Sequence, residues 1–435
     1  MFILVYYHRR IVTLRLFMMN TLDLIYLQNP WFRDSSAIPQ ERHWPRRKLY
    51  DVLVKDLDNS RQALAITGLR RVGKSTLLKQ LISHLLELHV APKRILYFTF
   101  DQPAIAETTG TIEEVIRVYI ESIVGATASQ LSERVWIVLD EVQLIPLWQD
   151  ILKRYYDVTD NIKFIITGSA ALFLTSASKE SLAGRLFQYT ATPLTFTEYQ
   201  QFAGDRDMVR FLEFGQYPEL LTFTDRAKQI EYLRDAVVGR VLEIDIPKLF
   251  GVRKIVDFER LFWTLLPNCG QIIKTASLGA ELGLKKSTLF KYLSILNQSL
   301  LTNTVTNMSG SFRSTSRLLR KIYPASSNFL SLSSESVSLG ARAEIYVYML
   351  LSQLNTPVYL YRKRDKEIDF VLPDKKLAVE VKFQSQVHAS DLRTIRDVAA
   401  EKQYQSVIVT KDDDRVAAGI QFVSLANFEE LIVQR

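Results

Sequence analysis

The sequence predicts an α/β protein with a parallel sheet in its first half and a smaller α/β module at its C-terminal end. Apolar strand-like runs alternate with amphipathic helices up to about residue 205, helical and basic segments follow, and strand-like runs then return. The first pattern is typical of a parallel sheet with helices on both faces. A chain of 435 residues is long enough for about three domains. The predicted segments are an N-terminal extension (1–45), a first α/β domain (46–205), a helical lid (206–252), a basic domain (253–322) and a C-terminal α/β domain (323–435).

Composition and the N-terminus restrict the class of protein. Hydrophobic residues make up 47% and charged residues 23% of the chain, which is ordinary for a globular protein. The single cysteine, Cys269, excludes an intramolecular disulfide and favours a reducing, cytoplasmic location. No apolar run reaches 18 residues, so no membrane-spanning helix is expected. The first apolar stretch precedes its arginines, unlike a signal peptide, and we expect translation to start at Met18 or Met19.

A phosphate-binding motif lies in the segment QALAITGLRRVGKSTLLKQLI. It follows an apolar strand and opens an amphipathic helix, the context that G-x-x-x-x-G-K-[ST] requires. Glycines let backbone N–H groups turn toward phosphates at the positive end of that helix. We therefore expect ATP with Mg²⁺, with Lys74 at the β- and γ-phosphates, Ser75 on Mg²⁺ and Thr76 near the α-phosphate. The nucleotide-binding residues are Gly68, Gly73, Lys74, Ser75, Thr76 and Asp140.

Three further positions are candidates for catalysis at this site. The buried-type strand RVWIVLDEVQ ends in Asp140 and Glu141, which predicts Asp140 near Mg²⁺ and Glu141 polarising the attacking water. A simple cap of the next helix is the alternative for this pair. The strand KFIITGSA ends in polar residues, of which Ser169 is predicted to sense the γ-phosphate. Arg185, in SLAGRLFQY, is either an arginine finger, in cis or in trans, or a solvated loop arginine.

The order of several motifs resembles one prokaryotic family. The motifs are GLRRVGKST, VLDEVQ, ITGSA, SLAGR, PLTFTEY and FGQYPEL. This order resembles the AAA-type P-loop ATPases that carry a C-terminal domain of unknown function. The resemblance implies a P-loop ATPase domain, a winged helix and a restriction-endonuclease-like fold, and it supports the nucleotide roles of Lys74, Ser75, Asp140, Glu141, Ser169 and Arg185. A finger acting in trans would imply a homo-oligomer.

The basic domain is the predicted partner-binding region. Residues 251–330 contain eleven Lys or Arg and three acidic residues. The segment KTASLGAELGLKKSTLFKYLSILNQSLL has a central glycine between two helical patterns, as in a helix-turn-helix. Basic residues at the start of a second helix favour DNA, although a winged helix used for protein contacts is the alternative. The candidate DNA-binding residues are Lys285, Lys286, Lys291, Arg313 and Arg317.

The hairpin EIDFVLPDKKLAVEVKF is the candidate nuclease site. It places Asp369 on one strand and Glu380 and Lys382 on one face of the next. Restriction-endonuclease-class proteins show the same order, with Mg²⁺ on the carboxylates and a lysine near the attacking water. Glu344, on a preceding helix, would complete the group. Related folds also keep this shape without activity, so cleavage stays open.

Three functions are therefore compatible with the sequence. The first is an ATPase whose C-terminal domains engage DNA. The second adds Mg²⁺-dependent DNA cleavage at the hairpin. The third is a nucleotide-gated switch that binds protein partners and performs no DNA chemistry.

Overall fold

A computed structural model describes residues 20–101, 112–169, 182–308, 320–364, 366–385, 387 and 389–433. The described residues form two compact units. The first contains residues up to Gly68 and the segment Gly73–Ala191, and the second contains Leu69–Val72 and the chain from Thr192 onward. The first unit thus ends before the predicted boundary at residue 205, and the three later predicted domains lie within the second unit.

The first unit is built around a five-stranded parallel sheet of order β2-β3-β4-β1-β5. The central strands are apolar and buried on both faces, as parallel strands covered by helices must be. Its strands are β1 (Ala63–Gly68), β2 (Ile95–Thr99), β3 (Val135–Asp140), β4 (Ile162–Gly168) and β5 (Leu186–Ala191). Its helices are α1 (Thr21–Gln28), α2 (Lys48–Asn59), α3 (Lys74–Glu87), α4 (Ile112–Val118) and α5 (Trp148–Val158), and a π-helical turn covers Tyr119–Val124.

The segment after residue 20, within the predicted N-terminal extension, packs against the sheet of this unit. The Asn29 side chain exchanges two hydrogen bonds with the backbone of Tyr97 on the edge strand β2, at 2.6 and 2.8 Å. The Trp31 indole donates to the carbonyl oxygen of Ile95 at 2.9 Å. An unpaired strand edge invites pairing with another chain, and here side chains satisfy the backbone groups instead.

The second unit begins with helices and a small antiparallel sheet. Two of its helices, α11 (Thr275–Leu282) and α12 (Lys286–Gln298), are joined through Gly283, which adopts a left-handed φ of 65°, a conformation that glycine tolerates best. The helices are α6 (Phe196–Ala203), α7 (Met208–Phe214), α8 (Arg226–Glu231), α9 (Ile246–Phe250), α10 (Ile255–Leu265), α11 (Thr275–Leu282), α12 (Lys286–Gln298), α13 (Leu339–Leu351), α14 (Ala389–Lys402) and α15 (Leu425–Val433); π-helical turns cover Tyr232–Gly239 and Val241–Asp245. Strands β6 (Thr302–Thr306) and β7 (Arg320–Pro324) form the small sheet.

A six-stranded mixed sheet of order β12-β13-β11-β10-β9-β8 completes the second unit. Strands β9 and β10 form the predicted hairpin, in which Val379 pairs with Phe370, and β10 continues the sheet by pairing in parallel with β11. The strands are β8 (Tyr359–Lys363), β9 (Lys366–Leu372), β10 (Leu377–Lys382), β11 (Gln405–Thr410), β12 (Arg415–Ala417) and β13 (Ile420–Ser424). Within the described part of the chain, no helix has both the length and the apolar character needed to cross a bilayer.

Candidate functional site

Two glycines of the first unit flank the predicted phosphate-binding turn. Gly68 ends β1, where an added Cβ would lie 2.3 Å from the carbonyl oxygen of Ala191 on β5. Gly73 precedes α3 with a φ of 97°, a backbone conformation that is strained for residues other than glycine. The first glycine is thus required for strand packing and the second for turning the chain into the helix.

Lys74 is the first residue of α3 and its side chain is only 5% exposed. Its ammonium donates to the carbonyl oxygen of Gly68 at 3.2 Å and lies 3.7 Å from a carboxylate oxygen of Glu141. Glu141 also accepts a hydrogen bond from the Gln143 side chain. The structure therefore brings the predicted phosphate lysine and the predicted water-polarising glutamate together, at the carboxyl edge of the parallel sheet.

Asp140 is buried beside them at the end of β3. It accepts hydrogen bonds from the hydroxyls of Thr167, Tyr97 and Ser75, the Tyr97 bond measuring 3.1 Å. Burial and the neighbouring Glu141 raise the pKa of Asp140, and the hydrogen bonds from Thr167 and Ser75 oppose that rise. A bound cation would favour the ionised carboxylate in the same way.

Thr167, which lies at the strand end from which Ser169 was chosen as the predicted hydroxyl, also belongs to this site. The Thr167 hydroxyl donates to Asp140 and accepts from the backbone N–H of Glu141 at 3.1 Å, so it holds both acidic residues. Glu141 has a φ of 60°, a sparsely populated conformation that such a contact can stabilise. The available signal was the position of Thr167 at the end of β4, the strand that pairs with β3.

The polar lining of the site fits a nucleotide. The Ser169 hydroxyl and the Gln143 side-chain oxygen are buried and have no hydrogen-bond partner among the described residues. A buried polar atom without a partner is costly, and a polar ligand would relieve that cost. The predicted residue Thr76 is half-buried, two positions into α3.

Arg185 lies far along its strand from the phosphate-binding turn of its own chain. It directly precedes β5, whose first residue pairs with Ala63 and whose last pairs with Gly68. At ~3.3 Å per residue, Arg185 lies about 20 Å along the strand from the phosphate-binding turn. Its guanidinium instead contacts both carboxylate oxygens of Asp157, at 2.9 and 3.2 Å.

In the second unit, the candidate nuclease carboxylates do come together. The backbone pairing of β9 and β10 runs from Leu372–Leu377 to Phe370–Val379. Beyond it, Asp369 accepts a hydrogen bond from the backbone N–H of Val381 at 3.0 Å and donates its own N–H to Glu380 at 3.3 Å. The two side chains thus replace the next rungs of the ladder. Lys382 contacts Glu380 at 2.9 Å, on the strand face that the spacing predicts.

A lysine that the sequence pattern assigns to the basic, DNA-facing region lies inside this group. Lys321, on β7, is only 4% exposed. Its ammonium lies 3.2 Å from Glu344, 3.0 Å from Glu367 and 3.1 Å from Asp369. Tyr323, two residues further along β7, donates to Glu344 at 2.6 Å. We call Lys321, Glu344, Glu367, Asp369 and Glu380 the carboxylate cluster.

The pKa shifts in the carboxylate cluster follow from burial and charge. Burial would lower the pKa of Lys321, but Asp369, Glu344 and Glu367 raise it well above its usual value. Burial and the charge of Asp369 raise the pKa of both Glu344 and Glu380, against the opposing effects of Lys321 and Lys382. An ammonium thus lies beside Asp369, one of the two carboxylates to which the nuclease prediction assigned Mg²⁺. The other, Glu380, contacts the ammonium of Lys382.

The residues of the carboxylate cluster do not fit a resident metal ion. Among the described residues, no group of three or more His, Cys, Asp or Glu side chains is arranged to hold one. A cation of the chain itself instead contacts Glu344, Glu367 and Asp369, the last of which is one of the two predicted ligands of the nuclease Mg²⁺.

The predicted DNA-binding lysines lie at one end of the helix pair α11–α12. Lys285 is the residue before α12, Lys286 is its first residue and Lys291 lies further along it, and all three are exposed. Arg313 and Arg317 lie outside the described residues. Because Lys321 is buried, it does not contribute to the positive surface charge of this region.

Similar proteins are found in bacteria and archaea. An uncharacterized protein of Methanocaldococcus jannaschii is 29% identical over 47% of this chain and 41% of its own length. An uncharacterized protein of Haemophilus influenzae is 22% identical over 79% of this chain and 88% of its own length, and one of Mycobacterium tuberculosis is 27% identical over 65% and 64%. The chain therefore spans less than half of the archaeal relative.

Solved structures show weaker similarity. The AMPPCP-bound DnaA of Aquifex aeolicus is 12% identical, with a TM-score of 0.32 over 60% of this chain and 93% of that chain. The Cdc6p of Pyrobaculum aerophilum is 14% identical, with a TM-score of 0.29 over 75% and 99%. These scores are too low to support an inference about function.

Family profiles match three consecutive parts of the chain. Residues 205–326 and 339–428 match two domains of unknown function, DUF8612 and DUF4143. Residues 60–200 match the AAA domain and contain the P-loop glycines, Lys74, Asp140, Glu141 and Thr167. This match confirms the coarse prediction that the chain carries an AAA-type nucleotide-binding domain.

Proposed function

We propose that the protein binds and hydrolyses ATP with Mg²⁺ at the site formed by Lys74, Ser75, Asp140 and Glu141. The observation that carries this proposal is the convergence of the buried Lys74 on Glu141, with Asp140 beside them, at the end of β3. An alternative role for the acidic pair as a helix cap has no support here, because neither side chain caps the helical turn that follows β3.

The proposed mechanism assigns each side chain a separate task. Lys74 and the first backbone N–H groups of α3 hold the phosphates, because a helix N-terminus carries partial positive charge. Bound Mg²⁺ would neutralise phosphate charge, with Ser75 and Asp140 as the residues that would hold it. Glu141 orients and polarises the attacking water. Thr167 acts as a positioning residue, since it contacts both acidic residues.

Nucleotide binding and turnover in two variants test this proposal. We expect Lys74→Ala to lose ATP binding, because a buried cation at the phosphates is removed. We expect Glu141→Gln to keep ATP binding and to lose turnover by about 10²-fold or more, the usual contribution of such a group. Lys79→Ala is the matched control, since Lys79 lies on the same helix but contacts Glu41. Wild-type turnover in Lys74→Ala would refute the proposal.

We further propose that the second unit engages DNA through the helix pair α11–α12. Support comes from the three exposed lysines at the start of α12, since the first residues of a second helix often contact DNA in helix-turn-helix proteins. The guanidinium of Arg320 lies 4.7 Å from the centroid of the Phe290 ring on α12. Arg320 therefore packs against this helix, and only part of its side chain adds to the basic surface.

Salt-dependent binding of a labelled duplex tests the DNA proposal. Replacing Lys285, Lys286 and Lys291 by Gln should weaken binding and reduce the salt slope by about 0.9 for each phosphate that a lysine no longer neutralises. A matched control replaces three exposed lysines elsewhere in the unit, Lys363, Lys376 and Lys402. If both triple variants bind like the wild type, the proposal fails, and a nucleotide-gated switch that binds protein partners is favoured instead.

A further inference from the structure

We infer that Lys321 is the permanent cation of the carboxylate cluster, so that this nuclease-like module binds no catalytic metal ion and does not cleave DNA. The inference goes beyond the proposed ATPase and DNA-binding functions. It assigns a role to a lysine that the sequence pattern did not connect with the hairpin.

The first argument is the coordination of the ammonium group. It lies within 3.2 Å of one oxygen from each of three carboxylates, which come from α13 and β9. An ammonium has three N–H donors, so these three acceptors use its full donor capacity. A divalent ion at Asp369 and Glu380 would have to share the Asp369 carboxylate with this ammonium, and the two cations would repel each other.

The second argument is that the backbone holds Lys321 in place. Lys321 pairs with Val305 on β6 and forms a bridge with Ile272 on its other side. Tyr323, on the same face of β7, donates to Glu344 and packs against the rings of Tyr348 and Phe370, with centroid distances of 5.0 and 5.5 Å. The pairing of β7 therefore fixes the point from which the buried Lys321 side chain enters the cluster.

The third argument is the local balance of charge. The four carboxylates of the cluster face three cations, because Arg362 contacts Glu367 at 3.0 Å and Lys382 contacts Glu380 at 2.9 Å, in addition to Lys321. Adding a divalent ion would leave an excess of positive charge in a largely buried site, where uncompensated charge is costly. The lysine thus supplies the neutralisation that a metal supplies in an active nuclease.

The inference gives the cluster a structural role. Lys321 and Tyr323 belong to the small sheet that follows the helix pair, whereas Glu367, Asp369 and Glu380 belong to the C-terminal sheet. The ionic contacts therefore fasten the predicted DNA-binding part of the second unit to the nuclease-like part.

Titration of the full-length, nucleotide-free protein with Mn²⁺, followed by electron paramagnetic resonance, tests the inference. We expect the wild type and Asp369→Asn to bind the same number of ions, since the cluster holds none. Asp140→Asn controls for ions at the nucleotide site. We expect Lys321→Ala to gain one Mn²⁺ per chain and the double variant Lys321→Ala/Asp369→Asn to lose it again.

Two results would overturn the inference. One is a wild-type Mn²⁺ site that disappears in Asp369→Asn and persists in Asp140→Asn. The other is Mn²⁺-dependent cleavage of plasmid DNA by the wild type that Glu380→Gln abolishes. Both measurements are made without Lys321→Ala, so they decide the question even if that variant fails to fold. Neither depends on ATP turnover, so the proposed ATPase is judged separately.

Discussion

Each of the two units buries a lysine beside acidic side chains, Lys74 in the first and Lys321 in the second. The two lysines differ in how completely the surrounding side chains satisfy them and their neighbours. In the first unit, the Lys74 ammonium approaches Glu141 only to 3.7 Å, and the nearby Ser169 and Gln143 side chains have polar atoms without a partner among the described residues. In the second, three carboxylates surround Lys321 at 3.0–3.2 Å. A site built for a ligand leaves polar groups to be satisfied by it, whereas a structural site satisfies its own.

The same difference separates the two sequence motifs that predicted a catalytic site, which are the phosphate-binding motif and the hairpin. The phosphate motif is local, and its residues meet because they are neighbours in the chain. The residues of the hairpin motif are also close together in the chain, but Lys321, the cation that contacts Asp369 of the hairpin, comes from β7. A buried charge needs a partner, and a lysine that is distant in sequence can be that partner as readily as a metal ion.

The largest expected effect on stability comes from removing the Lys321 charge. We expect Lys321→Met to destabilise the second unit by about 3–5 kcal/mol, since it leaves buried carboxylates uncompensated. Hydrogen exchange of the β7 and β9 amides would measure this loss as increased local opening. Lys382→Met, at a 32% exposed side chain, is the matched control, with an expected loss of at most about 1 kcal/mol. Equal losses in the two variants would remove the distinction between the sites.

A smaller effect is expected at the end of β4. Thr167→Val keeps the side-chain volume but leaves Asp140 and the Glu141 N–H without their shared hydroxyl, at a cost of about 1–3 kcal/mol. We expect ATP turnover to fall more than ATP affinity, because Thr167 positions Glu141 rather than the phosphates. Thermal unfolding and steady-state kinetics would show both changes.

Ser169→Ala is the natural counterpart of Thr167→Val. It removes a buried hydroxyl that has no partner among the described residues, so the nucleotide-free protein should be at least as stable as the wild type. If Ser169 contacts the nucleotide, ATP should bind more weakly to this variant. A large loss of stability without nucleotide would contradict the structure of the site.

The smallest effect is expected for Arg185→Ala. Both side chains of the ion pair with Asp157 are partly exposed, and ion pairs at the surface contribute about 0.2–1 kcal/mol. We expect turnover of dilute protein to stay within about twofold of the wild type, since the side chain lies far from its own phosphate-binding turn. Turnover that rises with protein concentration in the wild type, but not in Arg185→Ala, would instead indicate a finger acting in trans.

Local patterns account for what could be predicted. The individual strands and helices, the phosphate motif, the Asp140–Glu141 pair, the hairpin and the helix pair around Gly283 each appear as patterns of residues close together in the chain. Hydrophobic periodicity and glycine positions report such local order directly. Thr167 shows where prediction from local patterns stops. Only the pairing of β4 with β3 reveals that the hydroxyl of Thr167, and not that of Ser169, contacts Asp140.

By itself, the sequence predicted a P-loop phosphate site, because that motif specifies a local backbone and its charges. Only the tertiary structure decided where Arg185 lies along its strand, that the segment after residue 20 completes the edge of β2, and that Lys321 is a buried counter-ion rather than part of a basic surface. Each of these depends on contacts between distant segments, and burial changes the chemistry of a charged group more than its neighbours in sequence do.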